Sequence, residues 1–175
     1  SIRWASDNGH LEIIKLLLEH GADPTADNNF AIRWASEKGH LEVVSLLLQN
    51  NCDPTANDNL AIQWASRNGH FRVVSLLLEH GADPTTDNNY AIRYASESGH
   101  LEVIKLLIQY NADIHVNNNN PIKSANENNY QEIINLLLKQ DSLESFLSDV
   151  PLHNLKSPTK FPFYYATEST QYLLS

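Results

Sequence analysis

The pair Gly9-His10 returns as Gly39-His40, Gly69-His70 and Gly99-His100, each copy thirty residues after the last. Its surroundings keep step. Trp4, Trp34, Trp64 and Tyr94 share one phase, and so do Leu16-Leu17-Leu18, Leu46-Leu47-Leu48, Leu76-Leu77-Leu78 and Leu106-Leu107-Ile108. Four units pass without an insertion or deletion. A strict period of this size means stacked supersecondary units and not one globule. Each unit cannot bury its apolar side alone and must lean on its neighbours.

The unit from Phe30 to Asn59 shows the plan. Ala31 to Glu37 holds apolar residues at helical spacing with no breaker, which predicts a short helix. Gly39 is placed to end it in a left-handed conformation. Leu41, Val43, Val44, Leu46, Leu47 and Leu48 predict a second helix, apolar around most of its circumference and so buried on several sides. Asn51 stops that helix, as Gly21, Gly81 and Asn111 stop its counterparts; glycine and asparagine best tolerate a positive φ. Asp53-Pro54-Thr55 and Asn57-Asp58-Asn59 then make a turn-rich connector. The unit reads as helix, tight turn, helix, loop.

The run Ala35-Ser36-Glu37-Lys38-Gly39-His40-Leu41-Glu42-Val43-Val44-Ser45-Leu46-Leu47-Leu48 resembles the core of the ankyrin repeat. Gly21-Ala22-Asp23 and Gly81-Ala82-Asp83 resemble its usual sequel. The resemblance covers residues 1 to about 140. It implies an all-α solenoid of stacked helix-turn-helix units, with three departures. The period is thirty where the family uses about 33, so short loops replace the full β-hairpins. The family's Thr-Pro-Leu-His becomes Phe30-Ala31-Ile32-Arg33, so the usual cap and histidine hydrogen bonds need substitutes. Tryptophan stands where the family is variable. This shortened Arg-Trp-Ala-Ser variety is similar to ankyrin arrays of very large DNA viruses.

Phase gives five repeats, 1–30, 31–60, 61–90, 91–120 and 121–150, followed by a divergent capping repeat or tail at 151–175. Pro121 and Pro151 continue the series Ala31, Ala61, Ala91, and proline suits a first helical turn because its missing N–H had no partner there. Asn129-Tyr130 stands for Gly-His in the fifth unit. At the other end Ser1 aligns with Ala31, and Ile2, Trp4, Ala5 and Leu11 are the residues of an interior unit. Repeat arrays need polar outer faces on their terminal units. An exposed apolar edge is therefore expected here, either the seat of further upstream repeats or a face for self-association.

The net charge of −9 argues against nucleic acid, which wants a basic face. No apolar run is long enough to span a membrane. One cysteine, Cys52, excludes an intrachain disulfide, which makes cytoplasm or nucleus the expected compartment. Cys52 shares its phase with Ala22, Ala82 and Ala112, a small buried position where a thiol is inert. The ladder His10, His40, His70, His100 has rungs about 10 Å apart, too far to share one metal ion. The resemblance assigns that histidine to backbone hydrogen bonds in the inter-helix turn. Asp23, Asp27, Asp53, Asp58, Asp83 and Asp87 lack the calcium-loop pattern and read as turn chemistry. Ser6, Ser36, Ser66 and Ser96 recur in every unit, whereas a catalytic group belongs to one site. These readings leave no enzyme, no cofactor and no metal.

The expected work is contact with a partner protein. By the resemblance, the first-helix face lines a concave groove. Its candidate residues are Arg33, Trp34, Glu37, Lys38, Gln63, Trp64, Arg67, Asn68, Arg93, Tyr94, Glu97 and Ser98. Tryptophan and tyrosine are frequent hot spots. For the aromatic ladder two readings stay open: rings packed between repeats, and a groove floor for a partner. Arg3, Arg33, Gln63, Arg93 and Lys123 form a second ladder expected to bond the preceding Asp/Asn loop. Alternatives to a simple scaffold are an adaptor whose segment 141–175 recruits a second machine such as a ubiquitin ligase, and an inhibitory plug for a partner enzyme.

Overall fold

Small residues set where the helices meet. Ala5, Ala35, Ala65, Ala95 and Ala125 are fully buried, as are Ser6, Ser36, Ser66 and Ser96, in a computed structural model that describes residues 1–149. All regular structure among the described residues is helical: α1 Ile2–Asp7, α2 Leu11–Glu19, α3 Ala26–Glu37, α4 Leu41–Gln49, α5 Ala56–Arg67, α6 Phe71–Glu79, α7 Thr86–Ser98, α8 Leu101–Gln109, α9 Val116–Glu127 and α10 Gln131–Asp149. The chain divides into two units, Ser1–Ile134 and Asn135–Ser175. The described part of the second is the remainder of α10. The divergent repeat expected at 151–175 lies outside the described residues, as does most of the adaptor segment 141–175.

In the first unit α1, α3, α5, α7 and α9 pack side by side as one layer, and α2, α4, α6 and α8 as another. The seam between layers is filled in phase. Ile32, Ile62 and Ile92 come from the first helices; Val44, Val74 and Ile104, with Leu47, Leu77 and Leu107, come from the second. All are fully buried. Each such side chain contributes about 1.5–3 kcal/mol relative to exposure. The stack is thus held by one apolar strip renewed every thirty residues.

The helix stops are those the sequence indicates. Gly39 has φ +76° and Asn51 φ +63°, with Gly21, Gly81 and Asn111 also positive. Gly39 has a second duty. A Cβ there would lie 2.5 Å from the ring of His70, closer than any real Cβ contact. His70 Nε2 meets the Glu37 carbonyl oxygen at 2.8 Å, and His40 and His100 make the same bond to Asp7 and Arg67, each at 3.0 Å. Glycine and histidine adjacent in sequence therefore serve two different junctions. The glycine receives the next repeat's ring, while the histidine reaches back to the previous repeat. In the fifth repeat Tyr130 takes the ring's place against Gly99, and Asn129 takes the glycine's conformation at φ +60°.

The connectors hold the main departure from expectation. The turn at Asn57-Asp58-Asn59 is three consecutive left-handed residues, with φ 55°, 56° and 61°; Asp27-Asn28-Asn29 and Asp87-Asn88-Asn89 do the same. The right-handed part of α3 thus begins at Phe30, although the helical span counts from Ala26. Left-handed residues cost about 1–2 kcal/mol each for most side chains, and Asn and Asp are the least penalised after glycine. The third residue offsets part of that cost. Asn29, Asn59 and Asn89 accept the amide of Asp53, Asp83 and Asp113 in the following connector, each at 2.8 Å through Oδ1. Those aspartates then fold their own loops. Asp53 Oδ1 accepts from both the amide and the hydroxyl of Thr55, and Asp23 and Asp83 repeat the pattern with Thr25 and Thr85. These bonds hold the Asp23 carboxyl below its ordinary range, the Thr25 hydroxyl first and the Thr25 amide second. Pro121 falls inside α9, five residues beyond its start.

Candidate functional site

The first-helix layer carries the side chains proposed for contact, and they do not form one continuous ladder. Trp34 and Trp64 are half-buried and meet edge to face with centroids 5.6 Å apart. Tyr94 turns instead to Tyr90, stacked at 4.0 Å. Trp4 is 56% exposed and rests against His10. Phe30 stacks on Trp34 at 5.3 Å. Phe30 and Tyr90 were not among the sequence candidates. The signal was present, since each stands four positions before a ladder aromatic and so shares its helical face.

Cations cover these rings. The Arg3 guanidinium lies 4.2 Å from the Phe30 centroid, and Arg33 lies 5.6 Å from it. Lys38 Nζ stands 5.7 Å over Trp34; Arg67 and Arg93 lie 5.3 Å and 5.7 Å from Tyr94. Each such contact is worth about 0.5–1 kcal/mol at an exposed site. It also restricts a long side chain that would otherwise move freely in solvent.

Two rungs of the arginine ladder bond the loop before them, with a change of detail. Arg33 donates to the Asp27 carbonyl oxygen at 3.1 Å and Gln63 to that of Asp58 at 2.6 Å, so the preceding loop is held through backbone and not through a carboxylate. Arg3 pairs forward instead, with Asp27 Oδ2 at 2.7 Å. Gln63 is only 2% exposed. Its shorter side chain tucks beneath the connector, bonded to the Asp58 carbonyl oxygen.

The other candidates divide by role. Glu37 is half-buried, and its carboxylate is 3.6 Å from Lys38 Nζ; Lys38 is exposed. Arg67, Asn68, Glu97 and Ser98 are exposed. Asn68 donates to the Glu37 carbonyl oxygen at 3.2 Å. Position 37 and its counterparts share a useful property. The backbone carbonyls of Asp7, Glu37 and Arg67 are each held by the next repeat's histidine, while the side chains at this position read Asp, Glu, Arg and, at 97, Glu along the stack. The fold thus fixes the points from which variable charges project.

Cys52 is buried, its Sγ donating to the Pro24 carbonyl oxygen at 3.3 Å. Burial, with a smaller push from the Asp23 charge, raises the thiol to about 12. Among the described residues no three His, Cys, Asp or Glu side chains converge as a metal ion requires. None of the described helices is long and apolar enough to cross a membrane.

The family model for ankyrin repeats, in three copies, fits residues 2–88 and again 85–146. No curated protein matches the chain.

Proposed function

We propose, from the premise that this chain belongs to the ankyrin-repeat family, that its first-helix face and shortened connectors bind a partner protein without catalysing a reaction. Ankyrin repeats are generally protein–protein interaction modules. The observation that carries the reading is the pattern around the aromatic pair. Trp34 and Trp64 are half-buried and in contact, and the residues beside them differ from repeat to repeat: Glu37-Lys38, Arg67-Asn68, Glu97-Ser98. Half-buried aromatic rings flanked by fixed charges suit a hot spot with a polar rim. Because stacking and backbone bonds already hold the face, little side-chain entropy is lost on binding. A single cysteine with no disulfide partner supports cytoplasm or nucleus as the compartment.

Affinity capture with the full chain tests this, run beside Trp34→Ala/Trp64→Ala and Lys38→Glu/Arg67→Glu. The charge-reversed variant leaves the buried seam intact, and circular dichroism checks the helicity of both. Both variants are expected to lose the partners held by the unsubstituted protein. Capture unchanged in both, with helicity intact, would refute the reading.

A further inference from the structure

One rung of the arginine ladder is missing, and a cavity stands in its place. At the first junction Arg3 Nη1 donates to Asp27 Oδ2 at 2.7 Å, and the guanidinium lies 4.2 Å from the centre of Phe30, which is itself stacked on Trp34. Sixty residues on, the corresponding positions hold Gln63, Asp87 and Tyr90, with Tyr90 stacked on Tyr94. The acid and the ring recur; the guanidinium does not. Gln63 turns back to the Asp58 carbonyl oxygen, and among the described residues neither Asp58 nor Asp87 has an ion-pair partner. Above them opens a cavity of about 440 Å³, lined by Asn57, Asp58, Leu60, Gln63, Thr86 and Asp87. That volume is within the usual range for small-molecule pockets, about 300–1,000 Å³.

We propose that this cavity receives the side chain of an arginine supplied by the partner, which takes against Asp87 the place that Arg3 takes against Asp27. The lining suits that occupant. Two carboxylates offer acceptors for a planar fork of five donors, and Leu60 offers apolar surface to its methylene stem. The neighbouring ladder cations are held elsewhere, Arg33 on the Asp27 carbonyl oxygen and Arg93 against Tyr94, and Arg67 too lies against Tyr94, 3.5 Å from the Tyr90 hydroxyl. The internal precedent is a guanidinium, which selects arginine over lysine. This inference rests on the proposed function only in assigning the arginine to a partner; the cavity's preference is a property of this chain alone.

The test uses two short peptides, acetyl-Gly-Arg-Gly-amide and acetyl-Gly-Lys-Gly-amide, titrated into ¹⁵N-labelled full-length protein. The arginine peptide is expected to give saturable amide shifts at Asn57, Leu60, Thr86 and Asp87, in the millimolar range, with the lysine peptide weaker. Asp87→Asn removes a charge-assisted bond and should weaken binding about tenfold or more. Gln63→Arg should abolish it, because the built-in guanidinium occupies the site. The amide spectra report directly whether each variant is folded. Shifts that fail to saturate, that saturate elsewhere, or that persist unchanged in either folded variant would overturn the proposal, as would equal binding of the lysine peptide. None of these outcomes depends on Trp34 or Trp64, so the groove reading stands or falls separately in the capture experiment.

Discussion

Ile13 and Ile133 occupy the same position in the first and fifth repeats, and they are the same residue. Ile13 is 44% exposed and Ile133 is 2% exposed. His10 and His70 differ likewise: His10 is exposed and lies on Trp4, whereas His70 is seated against Gly39 and bonded to Glu37. Burial at these positions is conferred by the preceding repeat and not by the residue. The apolar edge expected from Ile2, Trp4, Ala5 and Leu11 is present in altered form. Ile2 and Ala5 are buried within the first unit, while Trp4, Ile13 and Leu16 are the exposed members. Identical sequence thus has different energetic weight at the first repeat and inside the stack.

Substituting the two isoleucines puts that contrast at greatest risk. Ile133→Ala should lower stability by about 2–5 kcal/mol in urea unfolding, the usual range for a buried large-to-small change. Ile13→Ala should stay within about 0.5 kcal/mol, as surface changes do. Equal losses would break the comparison. The histidines give a smaller effect. His70→Ala leaves the Glu37 carbonyl with one partner fewer, and should cost about 1–3 kcal/mol; His10→Ala should cost far less.

Thiol chemistry sharpens the contrast without perturbing the fold. Native Cys52 should resist iodoacetamide at pH 8 and react once urea unfolds the chain. Ala22 holds the same phase in the first repeat and is less buried, so Ala22→Cys in a Cys52→Ala background should label faster than native Cys52. The sign of the pH dependence follows from the raised Cys52 value. Folding favours the neutral thiol, so this contribution is complete below the ordinary value of 9.0 and is lost as pH rises from there through about 12. A melting temperature that fell just as steeply in Cys52→Ala across that alkaline window would remove the thiol as its cause.

The helices and their stops were legible because periodicity and positive-φ residues are local signals. Gly39, Asn51 and Asn129 each end a helix for a reason visible in one residue type. The left-handed triplets were not legible. A run of Asp and Asn announces a turn without saying which hand it takes, and the choice here is settled by Asn59 reaching the Asp83 amide in another connector. Gln63 read as one more rung of the arginine ladder because phase records position and not reach; its shorter side chain decides its burial. For the candidate site, the aromatic pair Trp34 and Trp64 followed from phase. Tyr94 leaving that series for Tyr90 did not, because the choice of ring neighbour is made by packing.

The glycine seat and the ring that fills it come from successive copies of the repeat. Duplicating or deleting any whole copy among the first four therefore restores every latch, so the array can change length without redesign. A graft following Asn129 obeys a different rule: asparagine brings a Cβ to the spot that glycine leaves open for the incoming ring, and Asn129→Gly would be the first edit such an extension needs.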